Sequence, residues 1–344
     1  MTYKINLALQ GGGAHGAFTW GVLDRLLDES DVEVAAISGT SAGALSGAAF
    51  KAGFVNGGRE GARESLIWVW RQVGAVTDTN LAKWIAPFAP ATELYTQALT
   101  YSPAYFWWDT AARALSPYAF GGVIKNPLDR VIRELEWDAV CASDGPELHV
   151  CATNVRTGKI RVFKDDEVTT KAILASACLP TLFEAVEIDD PKTGKTEAYW
   201  DGGYTGNPAL FPLFPNHLPD DIVIVNINPL YRDTVPQDSQ SIQNRINEIS
   251  FNTSLLRELR AINFVKRLIA EGSVKKGRMK DVNVHLIEDD ALITELSVAT
   301  KMIAIPVILS RLKEAGRLAM DDFLRNHKHT IGKSSSFDLA GMFD

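Results

Sequence analysis

A serine in a glycine-flanked turn is the first feature of the sequence that could carry chemistry. The segment Gly39-Thr40-Ser41-Ala42-Gly43 fits the G-x-S-x-G pattern, in which a sharp turn between a strand and a helix exposes a nucleophilic serine. The apolar run 34–37 predicts a buried strand, and the small-residue run 42–52 predicts a helix. The helix would present its positive end to the Ser41 hydroxyl. Because the pattern also occurs by chance in strand–loop–helix joints, its partners decide its meaning.

A glycine-rich segment near the start of the chain is a candidate binding loop. Residues 11–16 read Gly-Gly-Gly-Ala-His-Gly, between a strand-like segment and a helical pattern. Such a loop can direct several backbone N–H groups at one oxygen and form an oxyanion hole. It also satisfies the dinucleotide-binding fingerprint, which needs an acidic residue near the end of the second strand. The nearest acids, Asp31 and Glu33, come before or at the start of that strand, and a tight turn without a ligand is the third interpretation.

A serine nucleophile needs a base, and the best-placed candidate is a carboxylate. Asp201 directly follows a strand-like segment, and two glycines after it let the backbone bend closely around its side chain. A carboxylate can accept the serine proton directly when the two groups lie within hydrogen-bonding distance. Among the histidines, only His217, in a proline-rich loop, is an alternative base. An Asp-Gly-Gly sequence is also common in ordinary turns.

Four motifs in this order resemble the patatin-like phospholipase family. They are the loop at 11–16, the elbow at 39–43, the segment Ala175-Ser176-Ala177-Cys178-Leu179-Pro180, and Asp201-Gly202-Gly203. The resemblance covers about residues 4–230. It implies a three-layer α/β/α sandwich and hydrolysis of lipid acyl esters of the phospholipase A or esterase type, with no cofactor and no catalytic metal.

The resemblance also implies roles for single residues. It makes Ser41 and Asp201 a catalytic Ser–Asp dyad of nucleophile and base. The oxyanion hole would be formed by the backbone amides of Gly12, Gly13 and Ala14. The remaining motif glycines are Gly11, Gly16, Gly39, Gly43, Gly202 and Gly203. The chain departs from the family at His15, where many members carry Arg or Lys, and we expect His15 to cap or pack rather than catalyse.

Two other functions use the same features. An acyltransferase or thioesterase acting on acyl thioesters could employ the same elbow. A dinucleotide-binding or regulatory module would use the glycine loop without any nucleophile.

The order of predicted elements favours a single domain spanning residues 1–344. The βαβα opening predicts a mainly parallel sheet with a right-handed crossover. Residues 54–125 are rich in tryptophan and proline and predict a helical insertion over the elbow side of the sheet, and residues 231–330 complete the sheet and helices. We expect long helices at about 240–271 and 301–327. The tail from Lys328 should be mobile except where Phe337 or Met342 dock.

Composition and charge restrict the partners. The 344 residues include 35 Lys and Arg against 42 Asp and Glu, and the net charge of −7 argues against nucleic acid. The six histidines form no metal-binding motif, and the three cysteines are typical of reduced thiols in a cytosolic protein. No stretch approaches the ~18 apolar residues that cross a bilayer, so we expect a cytoplasmic location.

Two segments indicate how lipid could be reached. The aromatic residues at 101–108 could line an acyl pocket, contact a bilayer or fill the core. Residues 255–280 carry eight basic side chains against two glutamates, a local excess that could attract anionic headgroups and give peripheral membrane contact. The sequence does not indicate an oligomeric state.

Overall fold

The fold is built on one sheet in which helices cover both faces. A computed structural model of the protein describes residues 2–76, 116–120, 126–296 and 298–343. The strands are β1 (Tyr3–Leu9), β2 (Val32–Thr40), β3 (Glu147–Asn154), β4 (Ile160–Lys164), β5 (Val186–Asp190), β6 (Lys195–Asp201), β7 (Asp221–Val225) and β8 (Asn283–Ile287). They form an eight-stranded sheet in the order β5-β6-β3-β2-β1-β7-β8, with β4 also paired to β3.

The sheet is mixed. Its central strands β3, β2, β1, β7 and β8 are parallel neighbours, as the βαβα opening predicts. The pairings β3–β4, β3–β6 and β5–β6 are antiparallel, because hairpin connections join these strands or return the chain alongside β3. The antiparallel part matters for the site, since it brings the end of β6 beside the end of β3.

Ten α-helices lie among the described residues, and we number them in chain order. They are α1 (Ala17–Leu26), α2 (Ala42–Val76), α3 (Leu128–Arg133), α4 (Trp137–Val140), α5 (Thr170–Ser176), α6 (Ser239–Ala270), α7 (Asp290–Glu295), α8 (Val298–Met302), α9 (Pro306–His327) and α10 (Leu339–Phe343). None of the helices in this part of the chain has the length and apolarity needed to cross a membrane.

Alternating side chains of the central strands divide the core into two clusters. Leu7, Leu9 and Ile37 belong to the larger cluster, together with α1, α2 and α9. Ala8 and Ala36 face the other side, where the cluster includes residues of α6 and α10. Because successive side chains of a strand point to opposite faces, this alternation produces the three layers of an α/β/α sandwich. The predicted fold class is therefore confirmed.

Several predicted helices have different bounds in the structure. The predicted helix at 42–52 continues as α2 to Val76, with a break at Gly57 and Gly58, where the backbone leaves helical geometry. The predicted helix at 301–327 is divided, because α9 begins at Pro306, and proline suits a first helical turn but not a helix interior. The predicted helical insertion at 54–125 includes the second half of α2, and its residues 77–115 and 121–125, with the aromatic residues at 101–108, lie outside the described residues.

The tail beyond α9 packs along the edge of the sheet. The backbone amide of Gly332 donates to Asp221 Oδ1 at 2.9 Å, and Ser335 Oγ accepts the amide of Val284 at 3.0 Å. Phe337 and Met342 pack against the second core cluster, as predicted. The tail from Lys328, which the sequence predicts to be mobile, contacts the open edge of β8 through the hydroxyl of Ser335 and the amide of Phe337.

Candidate active site

Ser41 lies between β2 and α2 in a strained backbone conformation. Its φ angle of 53° falls in the left-handed region, which residues with a side chain rarely adopt. The elbow packs tightly against the end of β1, since a Cβ atom at Gly43 would lie 2.2 Å from the Leu9 carbonyl oxygen. This geometry is typical of a nucleophile elbow, in which strain at the turn exposes the serine side chain.

A hydroxyl from a distant helix holds the elbow in place. The Ser41 amide donates to Ser176 Oγ at 2.8 Å, and that hydroxyl donates to the Cys151 carbonyl at 2.6 Å. Next to it, Thr40 Oγ1 donates to the Gly206 carbonyl at 2.6 Å. The strained turn is therefore fixed by hydrogen bonds of the Ser176 and Thr40 hydroxyl groups.

Strand register brings Asp201 to Ser41. Thr40 pairs with Cys151 on one side of β3, and Ala152 pairs with Asp201 on the other. Ser41 directly follows β2 and Asp201 ends β6, and only β3 lies between these two strands. Their backbones are therefore about 10 Å apart, a distance that two side chains can bridge. The Ser41 side chain lies close enough to the Asp201 carboxylate to lower its pKa.

Asp201 is enclosed, and its charge is costly to form. The residue is 3% exposed, and its Oδ1 accepts the amide of Gly203 at 2.7 Å. Burial raises the pKa of Asp201 to about 7, while the Gly203 amide and the nearby Ser41 side chain act in the opposite direction. A carboxyl group with such a pKa takes up and releases protons readily near neutral pH.

The glycine loop follows β1 and turns into a short 3₁₀ helix at Gly13–Gly16. The amide of Gly11 is occupied, because it donates to Asn207 Oδ1 at 2.7 Å. Among the described residues, nothing accepts a hydrogen bond from the amides of Gly12 or Gly13. These two amides border the same cavity as Ser41 and Asp201, so they are free to bind a ligand oxygen.

The two histidines considered from the sequence do not face this cavity. His15 is buried, and its Nε2 makes a 2.8 Å hydrogen bond with Thr300 Oγ1. Burial and the charge of Lys301 hold its pKa well below the usual range. His217 is exposed and pairs with Glu147 at 2.7 Å. His15 therefore packs as expected, and the structure does not bring His217 to Ser41.

The structure does not place an acidic residue of β2 beside the glycine loop, as the dinucleotide-binding fingerprint requires. Glu33 lies near the start of β2 and pairs with Lys4 at the beginning of β1, at a distance of 3.2 Å. Since the two strands are parallel, this carboxylate is at the opposite end of the sheet from the glycine loop.

A cavity of about 480 Å³ opens onto Ser41, Asp201 and the glycine loop. Part of its described wall is apolar and is formed by Leu45, Trp70, Val73, Ile132, Leu179 and Phe183. Another part is polar and is formed by Asn228, Gln243, Asn244, Asn247 and Lys301. The cavity therefore offers an apolar and a polar surface to a single ligand.

The family model for patatin-like phospholipases matches residues 7–214, which is more than half of the chain. The chain belongs to the patatin-like phospholipase family. At this level it is a hydrolase of lipid esters that acts in lipid metabolism. All four sequence motifs lie within the matched segment, whereas Lys301 and the polar residues of α6 lie outside it.

Among solved structures, VipD from Legionella pneumophila is similar to this chain. The two are 14% identical, the match covers 95% of this chain and 67% of VipD, and the TM-score is 0.42. No curated protein matches the chain.

Proposed function

We propose that the protein hydrolyses lipid acyl esters through Ser41 and Asp201. The observation that carries this proposal is the buried carboxylate of Asp201, which lies beside Ser41 at the wall of a partly apolar cavity. The raised pKa of Asp201 suits a base that must hold a proton through one step and return it in the next.

In the first step, Ser41 Oγ attacks the ester carbonyl carbon while Asp201 takes the hydroxyl proton. The carbonyl π electrons move to oxygen, and the amides of Gly12, Gly13 and Ala14 donate hydrogen bonds to that oxyanion. When the tetrahedral intermediate collapses, the bond to the alcohol oxygen breaks. The leaving alcohol takes the proton from Asp201, and an acyl-Ser41 ester remains.

In the second step, water replaces the alcohol. Asp201 accepts a proton from the water as its oxygen bonds to the acyl carbon, and the same amides bind the new oxyanion. Collapse breaks the bond to Ser41 Oγ, which recovers its proton from Asp201, and the fatty acid leaves. If another acceptor entered in place of water, the same site would perform acyl transfer.

Labelling with a fluorophosphonate probe and mapping the modified residue tests the nucleophile. We expect one adduct, on Ser41, that is lost in Ser41→Ala and retained in Ser310→Ala, a change at an exposed serine of α9. An adduct on any other residue would refute the proposal. Parallel assays with phospholipid, monoacylglycerol, p-nitrophenyl ester and acyl-CoA then separate ester hydrolysis from thioester chemistry.

We also propose that the protein contacts membranes peripherally through α6 and the basic segment 255–280. Ile242, Ile246 and Ile249 are 42%, 52% and 53% exposed and share one face of α6. Not every basic residue is available, since the ammonium of Lys280 contacts three backbone carbonyls within 3.3 Å and Lys266 pairs with Asp281.

Sedimentation with vesicles tests this contact. Binding should be stronger with anionic than with zwitterionic vesicles and should weaken in Ile246→Asp, because a carboxylate on that face opposes insertion. Equal binding by Ile246→Asp and the unmodified protein would refute it. The cytoplasmic location stays a prediction, to which the three unpaired cysteines lend support.

A further inference from the structure

The side chain of Lys301 lines the cavity although α8 lies far beyond the family-matched segment. Its Nζ donates to Asn228 Oδ1 at 2.9 Å, and Asn228 Nδ2 donates to the Gly11 carbonyl at 2.9 Å. One carboxamide therefore links the ammonium group to the glycine loop. The Lys301 backbone also contacts this loop, since its carbonyl oxygen would lie 2.2 Å from a Cβ atom at Gly13.

The wall around this ammonium group is polar and nearly without negative charge. Asn228, Gln243, Asn244 and Asn247 contribute neutral amides, and Asp201 is the one carboxylate among the described lining residues. No described carboxylate forms an ion pair with Lys301.

The acidic residue that influences Lys301 from further away is already paired. The carboxylate of Glu248 contacts Arg232 at 2.6 Å and Arg245 at 3.2 Å. Burial lowers the pKa of Lys301 to about 8, an effect that Glu248 partly opposes and Arg232 increases. The buried Lys301 ammonium group has lost hydration, and no contact ion pair replaces it. An anionic ligand therefore stabilises this group more than it would stabilise a solvated surface lysine.

The loop itself lacks a cation. His15 is buried against Thr300 and held uncharged, so it presents no positive group to the cavity. Lys301 follows Thr300 directly in the chain and is the cationic residue among the described residues that line the cavity.

We propose that Lys301 is a specificity-determining residue whose ammonium group binds a substrate phosphate close to the scissile acyl ester. This inference rests on the proposed function and deepens it. The amides of Gln243 and Asn244 are able to donate to further phosphate oxygens, while the apolar wall receives the acyl chain. In a glycerophospholipid only a few bonds separate phosphate and ester, which fits a cation linked to the oxyanion loop through one side chain.

The test compares two substrates with the same acyl chain, 1-palmitoyl lysophosphatidylcholine and 1-palmitoylglycerol, in the same detergent. We expect Lys301→Met to lower the ratio of their kcat/KM values about tenfold or more, mainly through a higher KM for the phosphate-bearing substrate. A charge-assisted hydrogen bond of about 1.4 kcal/mol corresponds to such a factor. Lys301→Arg should restore part of the preference, since it keeps the charge.

Lys159→Met is the matched control, because it removes an exposed lysine that lies outside both the cavity wall and the basic segment 255–280, and it should leave the ratio unchanged. Thermal unfolding of each variant reports on folding. As a second readout, glycerol 3-phosphate should inhibit hydrolysis of 1-palmitoylglycerol by the unmodified protein and inhibit Lys301→Met at least tenfold less.

An equal loss of both activities in Lys301→Met, or equal inhibition of both proteins by glycerol 3-phosphate, would overturn the inference. Either result would leave the proposed function intact as long as Ser41→Ala is inactive and Ser41 carries the fluorophosphonate label. Labelling elsewhere would overturn both.

Discussion

The backbone amide of Ser41 donates a 2.8 Å hydrogen bond to the hydroxyl of Ser176, which closes α5. The same hydroxyl donates to the carbonyl of Cys151 within β3. Ser176, in the motif 175–180, therefore connects the strained elbow to β3, the strand that separates Ser41 from Asp201.

Removing this hydroxyl should loosen the nucleophile. In Ser176→Ala the Ser41 amide loses its acceptor, which costs about 1–3 kcal/mol when the group is buried. We expect kcat to fall about tenfold, since misplacement by about 1 Å lowers rates by up to about 100-fold. Ser46→Ala is the control, because the buried Ser46 hydroxyl has no hydrogen-bond partner among the described residues. Similar kcat values for the two variants would contradict this role.

Replacing the proposed base should stabilise the fold while removing activity. Asp201→Asn removes the charge of a side chain that is 3% exposed. The amide oxygen of the asparagine can still accept the hydrogen bond from the Gly203 amide. At pH 8 we expect turnover to drop about 1,000-fold or more, as for other members of a catalytic unit. We also expect the free energy of unfolding to rise by on the order of 2 kcal/mol.

The sign of this effect follows from proton binding. The folded chain holds the Asp201 proton up to about pH 7, whereas the unfolded chain releases it near 3.8. Between these values the folded state binds more protons, so stability is lost as pH rises through the window. The stabilisation by Asp201→Asn should therefore be present at pH 8 and absent at pH 3.5, as urea unfolding at both values would report.

A second, half-buried carboxyl group allows the effect on stability to be separated from the effect on catalysis. Burial also raises the pKa of Glu258 to about 7, but its Oε2 accepts the amides of Leu210 and Phe211, away from the cavity. Glu258→Gln should raise stability at pH 8 in the same direction and keep its activity. If Glu258→Gln were inactive, the loss in Asp201→Asn could not be assigned to the dyad.

The pH dependence of kcat/KM should reveal the base in the free enzyme. For a neutral ester, the rate should rise through about pH 7 as Asp201 loses its proton, and then stay level. Cys178 and Tyr204 stay neutral in this range, because burial raises both pKa values to about 12. A profile without an inflection between pH 6 and 8 would contradict the role of Asp201.

For a phosphate-bearing ester, the profile should fall again above about pH 8, since Lys301 then loses its charge. The falling limb should be missing in Lys301→Met. A falling limb of equal size with the neutral ester would show that another group causes it.

Short sequence patterns predict those parts of the site that are formed by residues close together in the chain. The elbow at Ser41, the glycine loop and the strand before Asp201 each follow from apolar runs and turn residues within about ten positions. Their order also identified the family. The pairing of Ala152 with Asp201 could not be read in this way, because it depends on the register between strands far apart in the chain.

Lys301 and Asn228 gave no signal in the sequence. Their types are common on surfaces, and they reach the cavity only because β7 and α8 pack beside the glycine loop. The one local signal is His15, which stands where many family members carry Arg or Lys. The composition of the serine-rich tail predicts mobility, because composition contains no information about the unpaired edge of β8 that the tail contacts.

Gly13 offers a test of the proposed oxyanion loop. Its φ is +58°, and a Cβ atom there would lie 2.2 Å from the Lys301 carbonyl oxygen, so Gly13→Ala must displace the loop or α8. We expect kcat/KM to fall about 100-fold, the effect of losing one oxyanion donor. Gly194→Ala is the matched control. Gly194 has a φ of +66°, and a Cβ atom added there would have no described atom within 4 Å. It should cost only the ~1–2 kcal/mol of left-handed backbone strain in stability and leave turnover unchanged. Equal kcat/KM values for the two variants would show that strain, and not the position of the loop amides, governs activity.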